Sequence, residues 1–143
     1  MSAQARTTSL IVPAIIAGIL GGIIIDAFLS LVLRTSPIGL WTFVAATVAG
    51  PGSPWILGFV VHFVTSIVWA VLYLYVFGAI GQLRNWIVGA IVWGVVVDAI
   101  MQVLVATKTG GSWWNGFSQG LLGHIVFYAA PVAYYIARAT RRA

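Results

Sequence analysis

The chain contains no cysteine and only two acidic residues, Asp26 and Asp98, in 143 positions. Without cysteine there are no disulfides, thiolate metal sites or cysteine nucleophiles. Charged residues make up 6% of the chain, against roughly 25% in a soluble domain. Too few remain to clothe a soluble core of this size in a polar skin. Lipid is the solvent in which that shortage is no defect. The positive excess of +5 does not point to nucleic acid, because the basic residues lie between or beyond apolar runs and form no stripe on a polar face.

What the chain has in abundance is apolar length: 62% of it is hydrophobic. Four runs, at about 10–33, 54–80, 85–106 and 117–137, are each near or above the ~20 residues a helix needs to cross a bilayer. Membrane strands would be shorter and would alternate in polarity. The first run follows Arg6 but is too long for a signal-peptide core and ends in no small-x-small cleavage site, so it reads as a retained span. Gly81-Gln82-Leu83-Arg84 is a tight turn that makes spans two and three antiparallel neighbours. Residues 38–49 form a short interfacial or re-entrant helix, closed by the breakers Gly50-Pro51-Gly52-Ser53-Pro54. Trp113 and Trp114 suit the headgroup layer, as do Tyr73, Tyr75, Tyr134 and Tyr135 near the span ends, and most of the seven tryptophans read as belt or lipid-facing residues. Pro131 predicts a kink in span four.

An even number of spans puts both termini on one side. That side collects Arg6, Arg84, Arg138, Arg141 and Arg142, and the other only Arg34 and Lys108, so the charge bias places both termini in the cytoplasm.

The two halves repeat. Gly22-Ile23-Ile24-Ile25-Asp26-Ala27-Phe28 parallels Gly94-Val95-Val96-Val97-Asp98-Ala99-Ile100, and Gly58-x-x-x-His62 parallels Gly120-x-x-x-His124. The expected architecture is therefore an all-α, single-domain membrane four-helix bundle over residues 1–143. It is made of two tandem helical hairpins related by a pseudo-twofold along the membrane normal.

Each span carries one ionisable residue on an i, i+4 stripe of small or polar residues: Gly22, Asp26 and Ser30; Gly58, His62 and Ser66; Gly94, Asp98 and Gln102; Gly120, His124 and Tyr128. Small residues let helices approach closely. A charged group at mid-span costs roughly 2.5–3.5 kcal/mol on insertion scales, so these groups are expected to face inward and to find partners. Their depths, roughly 12 Å inside the outer boundary for Asp26 and His62, place all four in one layer.

Several chemistries fit such a layer. Two Asp–His pairs can serve only as interhelical hydrogen bonds. Carboxylates and imidazoles also mark proton and ion paths. Two Asp and two His, with His62 and His124 as the nitrogen ligands, would suit a divalent metal. A tetrapyrrole held by the two histidines is a further possibility, since a glycine one turn before each leaves room for a flat ring. A hydrolytic triad from Ser30 or Ser66, His62 and Asp26 has the weakest support, with no strained turn or oxyanion hole to serve it. The favoured reading is a non-enzymatic membrane protein that binds or conducts a cation or proton. Its rival is an accessory or scaffold subunit of a larger membrane complex, with a haem or pigment. The expected partners are the lipid bilayer, further copies of the chain or other membrane subunits.

Gly123-His124-Ile125-Val126-Phe127-Tyr128, together with the Gly-x-x-x-Asp26 pattern of the first span, resembles small four-helix bacterial membrane proteins of the YagU type. The resemblance implies a bacterial inner-membrane location and carries no activity.

Overall fold

A computed structural model describes residues 9–112, 114 and 117–142, with residues 117–119 described by backbone alone. Arg6, Trp113 and the side chain of Phe117 therefore lie outside the described residues. The elements are α1 (Ile11–Val32), α2 (Pro37–Ala49), α3 (Trp55–Ala79), α4 (Trp86–Thr109), α5 (Phe117–Leu122), a π-helical stretch (Gly123–Ala129) and α6 (Ala130–Thr140). Four helical segments are long and apolar enough to cross a membrane: Ile11–Val32, Trp55–Ala79, Trp86–Thr109 and Gly120–Thr140. Their outer faces expose Val12, Ile23, Leu31, Val60, Val64, Ile87, Ile91 and Leu104 among many others, the surface a bilayer covers.

The short α2 has local causes at both ends. Ser36 caps it by accepting the Gly39 N–H at 3.1 Å, and Pro37 stands at the first turn, where its missing N–H is no loss. Gly50 stops it with φ +99°, a conformation open to glycine and strained for other residues. At 13 residues α2 is about 20 Å long, too short to span. Instead it packs along α3. Gly58 is the reason it can: a Cβ there would collide with the backbone carbonyl of Trp41. Trp41 also stacks on Trp55 at 5.8 Å and meets Phe59 edge-on at 4.9 Å.

The spans pack unequally. α1 lies close against α3 and against the fourth span, and α4 lies close against the fourth span. Glycines set the closest approaches. A Cβ on Gly18 would lie 2.7 Å from the Ile67 Cα, and one on Gly94 2.6 Å from the Ile125 Cα. α3 and α4, although joined by the tight turn, touch backbone to backbone in few places. Aromatic side chains separate them: Trp93 meets Trp69, Tyr73 and Phe77 at ring distances of 5.9, 6.0 and 6.3 Å. A glycine and a tryptophan account for the inequality. Aligning Asp26 with Asp98 sets Gly21 against Trp93. At the glycine, a Cβ would touch Val132 and Tyr128 of the fourth span, whereas at Trp93 an indole holds the helices apart.

One aromatic assignment from sequence is corrected. Tyr73 is fully buried rather than at the belt, with its hydroxyl pressed against Gly89. Trp93, 6% exposed, also belongs to the core.

The fourth span is not α-helical throughout. Pro131 has no N–H to give, and its ring crowds the carbonyl of Phe127 four residues earlier. The helix accommodates this by winding Gly123–Ala129 as π rather than α. His124 and Tyr128 both lie on this rewound stretch.

Candidate functional site

The four ionisable residues come together as two dyads. In the first, His62 on α3 places Nε2 3.1 Å from Asp26 Oδ1 on α1. In the second, His124 on the π stretch places Nδ1 3.0 Å from Asp98 Oδ1 on α4. Burial is graded within each dyad. The Asp26 and Asp98 side chains are 9% and 0% exposed, and those of His62 and His124 are 18% and 17% exposed. The imidazole is the more open side of each pair.

The same ring nitrogen in each dyad also faces a backbone carbonyl. His124 Nδ1 lies 2.9 Å from Gly120 O, and His62 Nε2 lies 3.5 Å from Gly22 O. A carbonyl only accepts, so the hydrogen belongs on that nitrogen and is shared between carbonyl and carboxylate. The other ring nitrogen, Nε2 of His124 and Nδ1 of His62, makes no hydrogen bond among the described residues. The dyads therefore use opposite nitrogens of the ring.

Their second carboxylate oxygens differ more. Trp41 Nε1 donates to Asp26 Oδ2 at 2.9 Å. Asp98 accepts from Gln102 Nε2 at 3.3 Å, but through Oδ1, the oxygen already facing histidine. Asp98 Oδ2 is buried with no hydrogen-bond partner. An unsatisfied buried carboxylate oxygen is costly to maintain.

The remaining sequence candidates fall around these pairs. Gly22 lies where a Cβ would sit 3.1 Å from Ser66 Oγ, and Gly94 lies against Ile125. Ser66 contributes its backbone carbonyl, which accepts from the Tyr128 hydroxyl at 2.5 Å and ties α3 to the fourth span. Ser30 Oγ is buried without a partner. No serine–histidine hydrogen bond occurs among the described residues, so the triad drawn from Ser30, Ser66 and His62 is not assembled.

The four groups do not form the single cluster that equal depth suggested. Among the described residues, no three His, Asp or Glu side chains stand close enough to hold a metal ion together. One dyad lies between α1 and α3 and the other between α4 and the fourth span. The α1–fourth-span contact separates them, filled by the stacked rings of Phe28 and Phe127 at 4.1 Å and by Tyr128. Depth along a helix says nothing about this lateral spacing.

The space for a flat ring beside each histidine is also taken. The Trp41 carbonyl fills the gap at Gly58, and the Asp98 carboxylate and Gln102 amide fill the gap at Gly120. Trp41 is the site residue that sequence reasoning missed. A signal was present, since a tryptophan follows each aspartate by 15 residues, Trp41 after Asp26 and Trp113 after Asp98.

No protein-family model, no curated protein and no solved structure matches the chain.

Proposed function

We propose that this small membrane protein takes up and passes on protons through its two intramembrane Asp–His dyads. The observation that carries the reading is the graded pair itself. A carboxylate screened from solvent is held about 3 Å from an imidazole whose far nitrogen stays free and which is the more exposed partner. An imidazole can accept a proton on one ring nitrogen while the other donates to a carboxylate. A proton arriving on the free nitrogen converts the dyad to an ion pair, and its departure restores the neutral ring.

A proton fits better than a metal cation, because each site offers one carboxylate and one imidazole, and neither dyad supplies a third His, Asp or Glu ligand. The accessory-subunit reading draws only on exposed apolar faces, which lipid covers equally well. In this reading the protein lies in a bacterial inner membrane with both termini cytoplasmic. That orientation follows from the arginine excess at Arg6, Arg84, Arg138, Arg141 and Arg142 over Arg34 and Lys108.

The test is proton flux into vesicles carrying purified protein and an internal pH dye, driven by a potassium diffusion potential. Flux above that of empty vesicles is expected, falling to the empty-vesicle rate for the Asp26→Asn/Asp98→Asn variant. Wild-type flux equal to that of empty vesicles overturns the reading.

A further inference from the structure

We propose that the groove between the start of α1 and the end of α6 binds the phosphate headgroup of an anionic phospholipid. The cavity there measures about 360 Å³. Leu10 and Pro13 line it from the α1 side, and Tyr135, Arg138 and Arg142 from the α6 side. Arg138 lies in the last turn of α6 and Arg142 two residues beyond its end at Thr140, and both line the groove, with Tyr135 one turn before Arg138.

Charge balance calls for an outside partner. The chain has seven Lys and Arg against two Asp and Glu, and both aspartates are engaged by histidine. No side-chain carboxylate is left for the arginines. Neither Arg138 nor Arg142 makes an ion pair among the described residues, and no acidic residue lines the groove. Two guanidinium groups facing one hollow recognise a phosphate through paired N–H donors.

The floor favours a lipid over a free phosphate ion. Buried Leu10 underlies the floor, and half-buried Pro13 and Ala139 offer apolar surface to the glycerol and upper acyl carbons. The groove lies where two membrane-spanning helices end, at the level of the headgroups. The tyrosine ring suits that layer as well.

Native mass spectrometry of protein purified in non-ionic detergent, with equimolar phosphatidylglycerol and phosphatidylcholine, tests the proposal. Preferential retention of one phosphatidylglycerol is expected. The preference should drop about fivefold for Arg138→Gln or Arg142→Gln and about 30-fold for both. The Arg138→Lys/Arg142→Lys variant, which keeps charge and topology signals but loses the paired donors, should retain only part of it, and Arg141→Gln, outside the groove, all of it. Equal retention of the two lipids by the wild type overturns the proposal without recourse to any variant. So does undiminished preference in the double glutamine variant, or displacement of the lipid by excess inorganic phosphate.

Discussion

The indole N–H of Trp41 donates to Oδ2 of Asp26 at 2.9 Å, and among the described residues no group does the same for Oδ2 of Asp98. Two dyads that look alike in sequence therefore differ in how completely their carboxylates are satisfied. The first is closed over by α2, whose Trp41 reaches it from the segment that follows α1.

Replacing Trp41 with Phe removes the donor while leaving a ring to stack on Trp55 and Phe59. A hydrogen bond to a charged group contributes about 1.5–3 kcal/mol, so a loss in that range is expected. Reversible unfolding in mixed micelles measures it. An unchanged midpoint would show that this bond does not hold α2 in place.

Gly58→Ala puts a Cβ onto the Trp41 carbonyl. Overpacking of this kind costs about 1–3 kcal/mol, and here the obstacle is backbone, which yields poorly. The variant should lose stability and expose the α2 amides to hydrogen exchange. Gly111→Ala, whose nearest atom is the Thr109 hydroxyl at 3.4 Å, should stay within about 0.5 kcal/mol of the parent.

His124→Ala leaves a fully buried Asp98 with no imidazole beside it. Losing a hydrogen bond to a buried carboxylate costs about 1.5–3 kcal/mol. Asp98→Asn in the same chain removes the stranded charge and should recover much of that loss. The expected signature is therefore a double variant more stable than His124→Ala alone. Additive losses in the thermodynamic cycle would show that the two side chains do not act as a pair.

The spans were legible because apolar length and interrupting charge are one-dimensional properties. Expected bounds of 54–80 and 85–106 compare with helices at Trp55–Ala79 and Trp86–Thr109. The candidate residues were legible because a polar group in lipid has to be accompanied by small neighbours that admit a partner helix. Gly22 before Asp26 and Gly94 before Asp98 both lie at close approaches. The capping by Trp41 was not legible, since it requires α2 to dock on α3 at one particular glycine. The π stretch was not either: Pro131 announces a disturbance, but its form depends on which carbonyls the surrounding packing leaves available.

The sequence by itself determined that this chain belongs in lipid, that four of its segments can cross, and which four ionisable groups need company there. Composition, run length and the cost of lone charges in hydrocarbon decide those points before any contact forms. Only the tertiary structure decided that the company is pairwise. How far apart two helices stand depends on the side chains between them, and here Phe28, Phe127 and Tyr128 divide what equal depth along the helices would have united.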